Sequence, residues 1–490
     1  MQRELNLLAF DIGASNGRCI LGRFDGNKIN MSEVHRFENG YVELSGVMYW
    51  NVLELYRQMK LSFSKFKLNE AADIDSFGID TWGVDYGLID KNGQLTGLPR
   101  SYRLCTEEDV KSVDKAVPLS KIYERTGEAP EVYTTLCQLY RRHLEKDTAL
   151  KTADKMLMMP DLLGYFFTGI KQTEYTIATT TMMYDPHQRD WDRKTLSQLG
   201  VDSSILTSID MPGQKRGRLS KSIADELGVN RAYFSTVGSH DTASAVAAIP
   251  GKENFAFCSS GTWSLIGVET DNAVINENMF NSGFSNEGTV QGGYRTLKSI
   301  MGLWHIQECR RDWARCGNSM SWNEIVAAAS QAKPLRHIID TDSADFYAGG
   351  NMENKIQNFL LKTGQPATGC PGETARCIYE SLALKYRWSL EKLENIKGEK
   401  IEALNIVGGG IQNKLLNQMI ADSIGLPVIT GPIEGAAIGN LLTQAMALGE
   451  VSGIDELRQV VRNSVEVEVY EPHHSDIWDE AYEKLITFIK

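Results

Sequence analysis

The stretch LLAFDIGASNGRCILG, residues 7–22, indicates the fold more directly than any other part of the chain. Its apolar ends, residues 7–10 and 19–22, predict two strands, and the small residues between them predict a tight turn. Gly13 and Gly17 allow the backbone to turn sharply and to approach a ligand closely. The stretch therefore predicts a strand-turn-strand unit whose turn is a candidate phosphate-binding site, with an ordinary hairpin as the alternative.

The side chains of this turn fit a nucleotide phosphate. Arg18 can neutralise phosphate charge, and Asp11 at the end of the first strand can hold Mg²⁺ through water. Small residues between them leave backbone N–H groups open to phosphate oxygens: Ala14, Ser15, Asn16 and Gly17. The turn is not a Walker loop, because Lys-Ser/Thr is missing and a strand follows it instead of a helix.

The same pattern occurs again in the second half of the chain. Residues 254–258 and 263–269 are predicted strands, and the turn between them is rich in hydroxyl groups and ends at Thr262. This turn either binds phosphates or satisfies its own backbone. With 490 residues, the chain exceeds what one core usually organises, and we predict two domains, 1–245 and 246–490.

A third candidate ligand-binding turn follows the predicted strand 403–407. In this turn, Gly408, Gly409 and Gly410 precede a predicted helix over 413–424. Three consecutive glycines are costly in backbone entropy, and they indicate close approach to a ligand such as a purine and its ribose. A strained turn without a ligand is the alternative. The succession of strand, turn and helix predicts an α/β fold with a ligand site at the strand ends.

Two acidic segments are candidates for a sugar site. Asp241 follows His240 at the start of a predicted helix, where the helix dipole favours an ionised carboxylate that can accept a hydroxyl proton. Around Gly83 stand the carboxylates of Asp80 and Asp85 and the indole of Trp82, polar and aromatic groups of the kind that hold sugars. Taken alone, Asp241 could be a plain N-cap, His240 a satisfied buried histidine and Trp82 an interior residue of a hairpin.

Composition and charge exclude several classes of protein. Apolar residues make up 42% and charged residues 23%, as in ordinary globular proteins, and the net charge of −12 argues against nucleic acid or an anionic membrane as partner. The N-terminal apolar run is too short for a signal peptide, and no stretch is long enough to span a membrane. The eight cysteines are scattered without a Cys-x-x-Cys pair, so we expect reduced thiols and a cytoplasmic location.

The order of these motifs resembles the carbohydrate kinases of the actin/hexokinase/heat-shock ATPase superfamily, and in particular the rhamnulokinase family. The resemblance covers about residues 5–470. Its most specific motifs are DTWGVD at 80–85 and SHDTASA at 239–245, supported by DIGASNGR at 11–18 and VGGG at 407–410.

This resemblance implies two ribonuclease-H-like, actin-like ATPase domains, the first binding sugar and the second nucleotide, with a nucleotide cleft between them. It implies transfer of the ATP γ-phosphoryl group to the 1-hydroxyl of L-rhamnulose, with Mg²⁺ as cofactor. Asp241 is then the proton acceptor, His240, Thr242 and Gly83 contact the sugar, and Asp11 organises the metal. Nucleotide contacts come from the 14–18 turn, the Gly408 turn, Thr262, Ser299 and Gln307.

Two positions depart from the family pattern. Leu104 stands where the family has Asp beside the sugar site, and Ser299 stands where relatives often have Asn beside the nucleotide. Leu104 leaves open a kinase for another ketose, such as L-fuculose, xylulose or ribulose. A nucleotide-binding sensor without sugar transfer is the alternative from another class of protein. A dinucleotide-dependent oxidoreductase is excluded, because no Gly-x-Gly-x-x-Gly opens a helix after the first strand.

Overall fold

The computed structural model of the protein describes residues 3–70, 72–251, 254–473 and 476–489. Its contacts group the chain into two units. Unit 1 comprises the described residues of Met1–Pro250, Glu269–Thr296 and Glu434–Val465, and unit 2 those of Gly251–Val268, Leu297–Ile433 and Glu466–Lys490. The division into domains 1–245 and 246–490 stays a prediction.

The α/β class expected from the sequence is confirmed by the succession of strands and helices. The strands are β1 (Leu5–Ile12), β2 (Asn16–Phe24), β3 (Ile29–Glu38), β4 (Tyr41–Leu44), β5 (Val47–Trp50), β6 (Ser76–Thr81), β7 (Tyr86–Ile89), β8 (Lys155–Met158), β9 (Thr173–Glu174), β10 (Tyr184–Asp185), β11 (Asp190–Trp191), β12 (Ile209–Asp210), β13 (Lys215–Arg218), β14 (Tyr233–Ser235), β15 (Phe255–Ser260), β16 (Trp263–Thr270), β17 (Ser285–Gly288), β18 (Tyr294–Met301), β19 (Ala403–Val407), β20 (Val428–Thr430) and β21 (Glu468–Tyr470).

The helices are α1 (Val52–Asn69), α2 (Glu107–Ala116), α3 (Leu119–Thr126), α4 (Thr135–Leu144), α5 (Thr148–Thr152), α6 (Met159–Thr168), α7 (Tyr175–Ala178), α8 (Arg193–Gln198), α9 (Lys221–Leu227), α10 (Asp241–Ala247), α11 (Glu277–Ser282), α12 (Trp304–Arg315), α13 (Trp322–Gln331), α14 (Met352–Lys362), α15 (Pro371–Lys397), α16 (Lys414–Ile424), α17 (Gly435–Leu448), α18 (Ile454–Ser464) and α19 (Ile477–Ile486). Within the described ranges, none of these helices combines the length and the hydropathy that a bilayer crossing needs.

A sheet with the strand order β13-β14-β6-β1-β2-β3 forms the centre of unit 1. Its central strand β1 pairs antiparallel with β2 and parallel with β6, so the predicted hairpin over residues 7–22 is confirmed. Leu8 and Phe10 belong to one hydrophobic cluster, and Leu7 and Ala9 belong to another. Because alternate residues of a strand point to opposite faces, β1 is covered on both sides, which explains its continuous apolar run.

In unit 2, neighbouring strands follow the order β18-β16-β15-β19-β20-β21. Here β15 pairs antiparallel with β16 and parallel with β19, which repeats the arrangement of β1 with β2 and β6. The strands predicted over 254–258, 263–269 and 403–407 are therefore confirmed, and so is the helix predicted over 413–424. Both units place a turn of small residues at the end of a central strand.

The helix that begins at Asp241 packs very closely on α17. A Cβ atom built at Gly439 would lie 1.8 Å from the carbonyl oxygen of Ser244, and one built at Gly435 would lie 3.5 Å from the Cα of Ala245. Real Cβ atoms do not approach other heavy atoms to 1.8 Å, so this crossing requires glycine at position 439. The close approach of the two helices fixes the position of α10 within unit 1.

We predict that Gly439→Ala lowers the free energy of unfolding by about 1–3 kcal/mol or more, because the new methyl group forces α10 and α17 apart. Denaturant unfolding followed by circular dichroism measures the change. Gly40→Ala is the matched control, since a Cβ atom at Gly40 meets nothing within 4 Å. Equal stability of the two variants would contradict the account of this crossing.

Candidate functional site

Asp241 is the first residue of α10, and His240 precedes it at the N-cap position. One carboxylate oxygen of Asp241 accepts hydrogen bonds from the backbone N–H and the hydroxyl group of Thr242, at 2.6 and 3.2 Å. Desolvation raises the pKa of Asp241, the neighbouring His240 opposes this rise, and Asp11 adds to it. One third of the Asp241 side chain is exposed, so the carboxylate can reach a bound substrate.

The His240 imidazole connects Asp241 to two residues that the sequence motifs did not reveal. Its Nε2 atom lies 3.5 Å from Asp241 Oδ1, and its Nδ1 atom lies 3.1 Å from Glu287 Oε2. Arg295 contacts the same Glu287 oxygen through Nη2 at 2.8 Å. These buried residues come from β17 and β18, about 50 positions beyond His240, and belong to no motif.

The turn after β6 brings Gly83 next to His240. A Cβ atom at Gly83 would lie 3.4 Å from His240 Nε2 and 3.4 Å from Thr180 Oγ1, so a larger residue would crowd this space. The predicted sugar contacts Gly83, His240 and Thr242 therefore lie in one neighbourhood with Asp241. Thr180 stands in the threonine run 179–181, which belongs to the resemblance to the family, but it is not among the predicted site residues.

Trp82 is largely buried and packs on Trp50, with ring centroids 4.2 Å apart. Both indole N–H groups donate to the same oxygen of Asp85, at 2.9 Å from Trp82 and 2.5 Å from Trp50. Burial raises the pKa of Asp85 to about 7, and the two indole hydrogen bonds oppose this rise. Trp82 thus helps to hold a buried carboxyl group beside Gly83, and its role against the sugar stays a prediction.

Leu104 ends a short 3₁₀ helix, Tyr102–Leu104, near this carboxyl group. The backbone of Tyr102 hydrogen-bonds to Asp85, and the carbonyl oxygen of Leu104 accepts a hydrogen bond from Arg141. Leu104, where the sequence departs from the family pattern, therefore belongs to the segment whose backbone hydrogen-bonds to Asp85.

Asp80 is fully buried in unit 1, where Asn440 donates to its Oδ2 atom at 2.6 Å. Desolvation raises the pKa of Asp80 well above the usual value, and the nearby Asp11 raises it further. In the register of β1 and β6, Asp80 stands opposite Asp11. Its side chain presents no surface to a sugar in this arrangement, and it borders the candidate metal residue instead.

Asp11 and Arg18 face each other across the β1–β2 hairpin. Arg18 donates to Asp11 Oδ2 through Nε at 2.9 Å and through Nη2 at 2.7 Å, and its Nη1 pairs with Glu434. Two carboxylates thus neutralise the predicted phosphate-binding cation in this state.

The turn between Asp11 and Arg18 is partly exposed to solvent. Ser15 and Asn16 are exposed, and Ala14 is partly exposed. Packing explains the glycine at position 17, because a Cβ atom there would lie 2.4 Å from the ring of Phe37.

The predicted nucleotide residues of unit 2 lie around the β15–β16 turn. The hydroxyl group of Thr262 donates to Gln307 Oε1 at 3.1 Å, so these two residues are brought together. The carbonyl oxygen of Thr262 accepts a hydrogen bond from the N–H of Gly302, which follows β18, the strand that carries the half-buried Ser299.

The Gly408 turn also packs against this hairpin. Cβ atoms at Gly408 and Gly410 would lie 2.8 and 2.1 Å from the carbonyl and hydroxyl oxygens of Ser260, whereas one at Gly409 would meet nothing within 4 Å. Gly408 also has a φ of 88°, which favours glycine. The glycines at 408 and 410 therefore also have a packing reason, the backbone of Ser260 for Gly408 and its side chain for Gly410, and Gly409 is the position open to a ligand.

The comparisons with known proteins cover almost the whole chain. Residues 6–248 match the N-terminal domain of the FGGY family of carbohydrate kinases, and residues 256–448 match its C-terminal domain. A rhamnulokinase of Bacteroides thetaiotaomicron is 39% identical over 97% of this chain and 98% of its own length. A rhamnulokinase of Enterococcus faecalis is 38% identical over 96% of this chain and 94% of its own.

Solved structures agree in fold. A ligand-bound xylulose kinase of Lactobacillus acidophilus superposes with a TM-score of 0.84 at 15% identity, over 99% of this chain and 96% of its own. A glycerol kinase of Plasmodium falciparum with ADP superposes with a TM-score of 0.79 at 15% identity, over 100% of this chain and 99% of its own. The predicted two-domain, actin-like ATPase fold is confirmed. The chain belongs to the FGGY family of carbohydrate kinases.

Proposed function

We propose that the protein transfers the γ-phosphoryl group of ATP to the 1-hydroxyl of L-rhamnulose, giving ADP and L-rhamnulose 1-phosphate in rhamnose catabolism. The choice of sugar is supported by rhamnulokinases that are 39% and 38% identical over nearly the whole chain. The observation that carries the chemistry is the grouping of the Asp241 carboxylate with His240, Thr242 and Gly83. Because the reaction consumes ATP and all eight cysteines are free thiols, we propose the cytoplasm as its compartment.

Asp241 is the general base of this proposal. As the bond from the sugar oxygen to the γ-phosphorus forms and the bond to the ADP oxygen breaks, Asp241 accepts the hydroxyl proton. The hydrogen bonds from Thr242 orient the carboxylate and stabilise its ionised form. His240 and the backbone at Gly83 bind the sugar beside the Asp241 carboxylate. Trp82 supports this binding site through its packing on Trp50.

Backbone groups and a few side chains hold the nucleotide. In unit 1, the 14–18 turn binds phosphates through the N–H groups of its small residues; in unit 2, the hydroxyl group of Thr262 is a separate phosphate-binding group. Arg18 is available to phosphate when a nucleotide competes with Glu434 for its guanidinium group. Gln307, Ser299 and the open Gly409 position border the nucleotide.

Mg²⁺ fits the residues around Asp11. Mg²⁺ prefers oxygen ligands and is usually held by one or two carboxylates together with substrate phosphates and water. Asp11 supplies one carboxylate at the end of β1, and the neighbouring Asp80 has a buried Oδ1 atom without a hydrogen-bond partner. Among the described residues, no group of three His, Cys, Asp or Glu side chains could form a metal cage of its own. We propose that Asp11 holds Mg²⁺ through water, and that the bound ion neutralises phosphate charge.

A kinase for another ketose is the second candidate function. Leu104 replaces a carboxylate of the family pattern, and the backbone of its 3₁₀ helix hydrogen-bonds to Asp85 through Tyr102. A sugar such as L-fuculose, xylulose or ribulose is the substrate in this alternative.

We predict that Asp241→Asn retains ATP binding but lowers turnover by on the order of 10²-fold or more, because the amide cannot accept the hydroxyl proton. Coupled ADP release measures turnover, and a fluorescent ATP analogue measures binding. Asp210→Asn is a control for the general effect of removing a carboxylate, since Asp210 pairs with Arg216 instead of His240. Turnover at the wild-type rate in Asp241→Asn would exclude Asp241 as the base.

A substrate panel separates the two kinase candidates from a nucleotide-binding sensor. We expect ADP release to be fastest with L-rhamnulose among rhamnulose, fuculose, xylulose, ribulose and glycerol. Leu104→Asp restores the carboxylate of the family pattern and is expected to lower the KM for rhamnulose without changing the KM for ATP. Preference for another sugar would favour the second candidate, and ADP release that no sugar stimulates would favour the sensor.

Removal of divalent cations with EDTA is expected to abolish sugar-dependent ADP release, and added Mg²⁺ is expected to restore it. We predict that Asp11→Asn raises the Mg²⁺ concentration required for half-maximal rate, because one ligand charge is lost. Asp75→Asn is the control, since Asp75 pairs with Arg3 outside this site. If Asp11→Asn needs the same Mg²⁺ concentration for half-maximal rate as the wild-type protein, Asp11 is not part of the metal site.

A further inference from the structure

A buried charged cluster lies behind His240 in unit 1, away from the face that meets Asp241. It consists of Glu287 on β17 and Arg295 on β18, which expose 6% and 0% of their surface. The Arg295 guanidinium donates to Glu287 Oε2 at 2.8 Å and to the carbonyl oxygen of Gly288 at 3.0 Å. Burying two charges is costly, so a cluster of this kind requires compensation by precise pairing.

We propose that Glu287 is a positioning residue for phosphoryl transfer, whose carboxylate holds the His240 ring with Nε2 directed toward Asp241 and the sugar. This inference rests on the proposed function and deepens it. Arg295 fixes the carboxylate, the carboxylate fixes the imidazole, and the imidazole contacts the substrate beside the base.

The geometry of the ring supports this role. His240 Nδ1 lies 3.1 Å from Glu287 Oε2, and Nε2, on the far side of the ring, lies 3.5 Å from Asp241 Oδ1. A carboxylate that accepts a hydrogen bond from the Nδ1–H group of a histidine fixes its tautomer and its orientation, and leaves Nε2 for the substrate. Arg295 Nη2 lies 3.2 Å from Nδ1 as well, and its hydrogen bond to Glu287 keeps both donors directed to one oxygen.

The charge of Glu287 is maintained despite its burial. Desolvation raises the pKa of this carboxyl group, but His240 and Arg295 lower it by more, so that the net shift is downward. A second buried acid, Glu128, faces Glu287, and desolvation together with Glu287 raises the pKa of Glu128 well above its usual value. Glu287 is therefore the member of this acidic pair that carries the charge.

The ring has little freedom on its other side. The Nε2 atom lies 3.4 Å from the position of a Cβ atom at Gly83, close to the backbone that is proposed to bind the sugar. A rotation of His240 would change the space available to the substrate as well as the contact with Asp241. Glu287 thus acts through His240 and accepts no proton from the sugar.

A double-mutant cycle on the full-length protein tests this inference. We expect Glu287→Gln, which keeps the shape and removes the charge, to lower kcat/KM for the sugar about 10- to 100-fold, the range that is typical when a partner that orients a metal-binding histidine is lost. The KM for ATP is expected to stay unchanged. In a His240→Asn background, Glu287→Gln is expected to cause no further loss, because the ring through which it acts is gone.

Glu269→Gln is the matched control, because Glu269 also pairs with a buried arginine, Arg458, at 2.6 Å and does not contact His240. It is expected to leave the sugar kcat/KM near the wild-type value. Should Glu287→Gln fail to fold in a thermal melt, Glu287→Asp takes its place in the cycle, since it keeps the charge for Arg295 and withdraws the oxygen from His240.

Losses that add in the double variant, or a Glu287 effect equal to that of Glu269→Gln, would overturn the positioning role. These outcomes are distinct from a failure of the proposed function, in which the wild-type protein and Glu269→Gln would themselves release no ADP with L-rhamnulose.

Discussion

The crossing of α10 over α17 is the constraint on which the candidate site depends. Gly439 allows the backbone of α10 to approach so closely that a Cβ atom would lie 1.8 Å from Ser244. Asp241 is the first residue of α10, so its position follows from the packing of the same helix against α17 at Ser244, three residues later. The same α17 supplies Asn440, which holds the buried Asp80 beside Asp11. One helix therefore supports both the proposed base and the proposed metal site.

Unit 1 buries several carboxyl groups, and the environment of each one differs. Asp85 is held by two indole N–H groups, Asp80 by one amide, and Glu287 by an arginine and a histidine. Burial raises the pKa values of Asp80 and Asp85, whereas the cationic partners of Glu287 lower its pKa. Clusters of acids with such different surroundings are typical of functional sites, because each group can then take a different role.

The local elements could be predicted from the sequence because their signals are local. The apolar runs around 7–10 and 403–407 gave correct strands, and the helix predicted over 413–424 begins one residue later, at Lys414, with Asn413 as its cap. The resemblance of the motifs and of their order to those of the rhamnulokinase family was sufficient to identify the family.

The remaining features depend on contacts between distant parts of the chain. Glu287 reaches His240 from a short strand 47 positions away, and no residue pattern around it indicates a partner. The sequence pattern explains the glycines at 408 and 410 by a ligand or by a strained turn, whereas the structure adds a packing reason, because Cβ atoms there would meet the backbone or the side chain of Ser260. The motif around Asp80 predicts a sugar contact, and only the register of β1 with β6 reveals that Asp80 stands opposite Asp11.

The position of the transferred phosphoryl group tests the central claim most directly. After incubation of the protein with Mg·ATP and L-rhamnulose, ³¹P NMR without proton decoupling distinguishes the possible products. The account predicts a phosphate ester split by the two protons of the C1 methylene group, in amounts equal to the ADP formed. Inorganic phosphate in place of an ester, or an ester coupled to a single ring or chain proton, would contradict it.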